Sequence, residues 1–121
     1  MTVDEAFAEF RALSLSIAKR EPDEQVSSDS PEVRISALAS QSGDAGLRLV
    51  FNDDAGVITL EISHGPPDGG VAGWMNLFQA SVVETELVTT SEVVTFDSAV
   101  DYGLELIGFE VAAKPQEHGP A

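Results

Sequence analysis

The chain reads as an α+β protein: a single domain with a mostly antiparallel sheet of four or five strands, and N-terminal and C-terminal helices packed on one face. Three features predict this. Apolar residues recur at helical spacing near both ends. The stretch between them alternates apolar and polar residues with period two, and clusters of Gly, Asp and Asn separate the alternating runs. The domain is expected to span residues 1–113, with KPQEHGPA at 114–121 as a disordered tail.

The first helix is expected from Val3 to Arg20. Thr2 with Glu5 matches a capping box, and Asp4 and Glu5 suit the positive end of a helix dipole. Val3, Ala6, Phe7, Phe10, Leu13 and Ile17 form its apolar stripe, and Pro22 ends it. Residues 21 to 31 read as a polar connector. Three strands in a meander should follow. Val33, Ile35, Ala37 and Ala39 form the apolar parity of the first; Leu47, Leu49 and Phe51 that of the second; Ile58, Leu60 and Ile62 that of the third. Asn52-Asp53-Asp54-Ala55-Gly56 has the composition of a hairpin loop.

After the loop His64–Gly70, the spacing of Trp74, Leu77, Phe78 and Ser81 favours a short helix or irregular crossover over residues 71–83. Thr and Val content predicts extended structure from Glu84 to Phe96, either one bent strand or a pair broken near Thr90-Ser91. On such a strand Glu84 and Glu86 share a face, with Thr85 and Leu87 on the other. The last helix is expected to be capped by Asp97 or Ser98, with Val100, Leu104, Ile107 and Val111 inward and Gly103 and Gly108 weakening it. The expected core joins Val33, Ile35, Leu49, Phe51, Ile58, Leu60 and Ile62 to Phe7, Phe10, Leu13, Leu104 and Ile107.

Charge is the strongest functional signal. Twenty-one carboxylates against six Lys and Arg give a net −15, and Leu49 to Ala113 holds eleven carboxylates with no Lys or Arg. This half cannot neutralise itself, so it should attract basic partners and repel phosphates. Nucleic-acid binding, which needs clustered Lys and Arg, is disfavoured. The absence of cysteine excludes disulfides, thiolate metal sites and cysteine catalysis. No signal-like start and no long apolar run is present, so a cytoplasmic location is expected.

No catalytic constellation is legible. His64 and His118 are the only histidines; Ser63-His64 are loop neighbours, and His118 lies in the tail. With Gly56 in the glycine position of an EF-hand loop, the first ligand position falls on Phe51 and the fifth on Ala55, so that spacing fails. GPPDGG matches neither a dinucleotide fingerprint nor a P-loop. No cofactor or metal is expected, and the reading is non-enzymatic.

The candidate partner-binding residues are Glu84 and Glu86, on one face of an extended run, and Asp53, Asp54, Asp68 and Glu92, in or near turns on either side of it. Their expected partner is a basic protein, and small acidic bacterial immunity proteins, which block a toxin's basic cleft, are similar in bulk character. Reading 71–83 as helix gives helix, three strands, helix, two strands, helix. That order resembles the layout of dimeric, acidic type III secretion chaperones, which implies a protein that wraps an unfolded effector around apolar grooves. Acidity serving only solvation in a high-salt habitat is the third expectation. Monomer and dimer are both open.

Overall fold

The computed structural model describes residues 1–26, 33–63, 73–89 and 94–109. It has two helices and one six-stranded antiparallel sheet. The first helix is α1 (Val3–Leu13), continued by a π-helical turn at Ser14–Ala18. The strands are β1 (Asp23–Val26), β2 (Val33–Ala39), β3 (Gly46–Asn52), β4 (Val57–Ser63), β5 (Met75–Val83) and β6 (Glu86–Val88), and α2 (Phe96–Leu106) closes the described chain. Strand order is the sequence order, a continuous meander. No described helix is long and apolar enough to cross a membrane. The tail at 114–121 lies outside the described residues.

The capping box at α1 forms as the sequence requires. Thr2 Oγ1 accepts the Glu5 N–H at 3.1 Å, and Glu5 Oε1 accepts the Thr2 N–H at 2.8 Å. Two orphan donors of the first turn are thereby satisfied. The α2 cap lies earlier than Asp97 or Ser98. Thr95 is the N-cap and Ser98, the third helical residue, its partner, because the Thr95 hydroxyl accepts the Ser98 N–H at 3.2 Å. This start brings Phe96 into the helix, where its ring meets Phe78 edge-on at 5.6 Å.

Gly103 and Gly108 each answer a steric demand of their position. A Cβ on Gly103 would come within 2.5 Å of Leu47 Cδ1 and 3.0 Å of Leu77 Cδ1, so the glycine is where α2 settles onto the sheet. Gly108, at φ +100°, ends the helix: its N–H donates to Glu105 and that of Phe109 to Leu104, a Schellman closure.

Both helices cover one sheet face. The core contains Phe7, Phe10, Leu47, Leu49, Ile58, Leu60, Ile62, Phe78, Val100, Leu104 and Ile107. Phe51 and Leu13 pack at its margin. Val33 and Ile35 do not join it. Register pairs Ser36 with Leu49 and Leu38 with Leu47, so the core parity of β2 is Arg34, Ser36 and Leu38. The facing is set by this register with β3 and not by the strand's own alternation: a one-residue slip of β2 would turn Ser36 and Leu38 outward and the Val33–Ile35 parity onto the core.

Two further segments differ from expectation. The connector at 21–31 contains β1, which pairs along β2 from Asp23↔Ala37 to Val26↔Arg34. Residues Met75–Val83 form a strand, with a bulge opposite Leu60/Glu61 that leaves Leu77 unpaired. The bulge lets Leu77 and Phe78 both pack on the core, and two adjacent inward residues look like helical spacing in the sequence. Among the described residues the order is therefore helix, six strands, helix, with a strand at Met75–Val83 where the secretion-chaperone layout would need its middle helix.

The chain then reverses at Glu84-Thr85, a turn inside the run expected to be extended; the break expected near Thr90-Ser91 lies outside the described residues. Glu84 and Thr85 have positive φ, 51° and 71°, the backbone of a two-residue hairpin turn. Glu84 and Glu86 thus do not share one face of a strand; one sits in the turn and the other in β6. The outer edge of β6 is closed by the N-terminus, where the Leu87 N–H donates to Met1 O at 2.8 Å and the Val3 N–H to Thr85 O at 2.9 Å.

Candidate functional site

Antiparallel connectivity gathers several turns at one end of the sheet. The start of β2, the β3–β4 hairpin loop, the end of β5 and the Glu84-Thr85 turn all lie there, beside the first turn of α1. The helix begins just short of covering the sheet, and the gap is a cleft of about 560 Å³. Val3, Phe51 and Val82 supply apolar wall; Asp4, Asp53 and Glu84 supply carboxylates.

One cation belongs to this cleft. Arg34, on the core parity of β2, donates to Asp4 Oδ1 at 2.9 Å, and its guanidinium lies 4.0 Å from the Phe7 ring centroid. Both contacts hold it against α1. Three carboxylates against one fixed guanidinium leave the cleft net negative. A cation entering it meets carboxylates on both flanking turns and apolar wall for an aliphatic stem.

The sequence-derived candidates separate as follows. Asp53 and Glu84 come together at this cleft, from turns far apart in sequence. Asp54 is exposed in the same loop without lining the cleft. Glu86 is drawn to the N-terminal amine at 3.3 Å. Asp68 and Glu92 lie outside the described residues. Asp4, Arg34 and Thr85 were not legible as site residues. Asp4 had a sufficient role in helix capping, and only the three-dimensional course of β2 puts Arg34 beside it.

The cation-free half also borrows charge from outside itself. Arg48 Nε donates to Glu61 Oε1 at 2.7 Å across β3 and β4, and Thr59 Oγ1 donates to Glu61 Oε2 at 3.1 Å. Glu86 is likewise paired, to the N-terminal amine.

A second acidic contact joins α1 to α2. The hydrogen bond between Glu9 and Asp97 raises the Glu9 pKa above the ordinary carboxylate value, partial burial adds to this, and repulsion from Asp97 and Asp101 acts in the same direction. Asp44 moves the other way, because the Ser42 hydroxyl donates to it at 2.5 Å and favours the ionised form. Among the described residues no group of three or more His, Cys, Asp or Glu side chains is placed to hold a metal ion. His64 and His118 lie outside the described residues. Compared with known proteins, the chain matches no family model, no curated sequence and no solved structure.

Proposed function

We propose that this chain is a non-enzymatic inhibitor of a basic protein, an immunity-type protein that docks its acidic cleft against the cationic surface a toxin uses on its own substrate. A nuclease, whose active cleft must be basic to bind phosphates, is the model partner. The observation that carries the reading is the convergence of Asp53 and Glu84, with Asp4, on one apolar-walled cleft in a chain of net charge −15.

The physical logic is competitive. Carboxylates presented on rigid turns stand in for phosphate oxygens, and charge-assisted hydrogen bonds to Arg or Lys are short and strong. The surrounding field speeds encounter and makes it salt-sensitive. The reading places the protein in the cytoplasm, beside the toxin's site of synthesis.

Affinity capture from the native cells at low salt, followed by an activity assay of the captured protein, tests this. Recovery of a basic enzyme whose activity falls on addition of the chain is the expected result. Capture of no basic protein, or of one that stays fully active, overturns it. Melting at low and molar salt separates this role from acidity that serves only solvation: a protein adapted to saline cytoplasm gains much stability in salt.

A further inference from the structure

The cleft is bounded by segments far apart in sequence, and hydrogen bonds tie those segments together. The first turn of α1 is joined to the β5–β6 turn by the Val3 N–H, which donates to Thr85 O at 2.9 Å. The β3–β4 loop is joined to the end of β5 by the Val82 N–H, which donates to Gly56 O at 2.8 Å. Arg34 adds a side-chain tie from β2 to Asp4, at 2.9 Å. Asp4, Asp53 and Glu84 therefore stand on rims that are linked to one another or to the sheet.

The tie through Thr85 joins two unusual groups. Val3 is the first residue of α1, a position whose N–H has no partner inside its own helix. Thr85 is β-branched yet held at φ 71°, beside Glu84 at φ 51°. Branched residues avoid this region, and a turn with two such angles ordinarily takes Asn-Gly. A backbone of this kind persists where its surroundings over-determine it. Here the Thr85 carbonyl accepts from Val3, and β6 pairs with β5 on one side and with Met1 on the other through the Leu87 N–H, at 2.8 Å.

We infer that Thr85 is a positioning residue of the cleft: its strained backbone and its hydrogen bond with Val3 fix Glu84 relative to Asp4 before a partner arrives. That role presupposes a basic partner docking at this cleft, and it narrows which one. Carboxylates ordered in advance lose little freedom on binding. They also hold a fixed spacing, so they favour cations fixed on a folded surface over those of a flexible polycation, which must be ordered as it binds.

Proline at Val3 tests this, because proline is well accepted at the first position of a helix and lacks the N–H. Thr2, at φ −87° and ψ 168°, already has the extended backbone that a following proline requires. Val3→Ala is the comparison, since it trims the apolar wall and keeps the donor. Binding is measured by calorimetry to the basic enzyme recovered by affinity capture and to oligolysine as the flexible probe. Val3→Pro should weaken enzyme binding about tenfold and Val3→Ala by less than about threefold, with oligolysine binding unchanged in both. Thr85→Gly should weaken enzyme binding about threefold or more while raising the melting temperature, a split that a purely structural role for Thr85 would not produce. If Val3→Pro loses the circular dichroism of the fold, Thr85→Gly decides. A wild-type chain that binds no basic enzyme overturns the docking reading and this role with it. Wild-type enzyme affinity in the folded Val3→Pro or in Thr85→Gly overturns the positioning role alone.

Discussion

Gly103 and Leu47 meet where α2 crosses β3, and a methyl group on the glycine would lie 2.5 Å from Leu47 Cδ1. Leu47 is fully buried, so it has little room to yield. Gly→Ala in a helix ordinarily gains about 1 kcal/mol, whereas overpacking a close contact costs about 1–3 kcal/mol. Gly103→Ala should therefore lower stability by about 1 kcal/mol in chemical denaturation. Adding Leu47→Val should recover much of that loss, a coupling that independent sites would not show.

Leu60 sits at the centre of the sheet with no exposed surface. Leu60→Asp would bury an unpaired carboxylate at a cost of several kcal/mol, comparable to the ~5–15 kcal/mol total stability of a domain. The variant should be unfolded by circular dichroism at neutral pH. A cooperative melt near the wild-type temperature would contradict the assigned core face.

Thr85 is a β-branched residue held at φ 71° in the β5–β6 turn. Such a residue is strained in the left-handed region, where glycine is not. Thr85→Gly should raise stability by about 1 kcal/mol, net of glycine's larger unfolded-state entropy. It leaves the carboxylates of the cleft in place, so partner binding should fall only if the rigidity of the turn matters to docking.

Glu9 has a raised pKa through its hydrogen bond with Asp97, partial burial and the neighbouring charges. A carboxyl whose folded pKa exceeds its unfolded value contributes stability that is complete below the unfolded pKa and is lost as pH rises through the folded one. Thermal melts across the mildly acidic range should show this loss in the wild type. Glu9→Gln should flatten that part of the profile and raise the melting temperature at neutral pH. An unchanged profile would show that Glu9 and Asp97 do not interact in solution.

The sequence carried the local features well and the long-range ones poorly. The Thr2–Glu5 box, the turn at 52–56 and the inward parity of β3 and β4 depend on neighbours within a few residues. The facing of β2 depends on registry with β3, and nothing within Val33–Ala39 reveals it. The bulge at Leu77 disguised a strand as a helix, and β1 is too short and polar to announce itself. The cleft was half legible. Asp53 stands out as an acid in a turn and Glu84 as an acid on an extended run, but their approach requires the reversal at Glu84-Thr85, which lacks the usual Asn-Gly signal.

The central claim is that the carboxylates of one cleft, rather than the overall charge, recognise a basic partner. The most direct measurement is stopped-flow association and dissociation, whose ratio gives the affinity, of the inhibited enzyme with wild type, with Asp53→Lys/Glu84→Lys, and with a control reversing two distant acids, Glu21→Lys/Glu105→Lys. All three should slow as salt rises. The cleft reversal should cut affinity by at least about a hundredfold, and the control, with identical net charge, by less than about tenfold. Equal losses in the two double variants would contradict the claim and leave only a diffuse field.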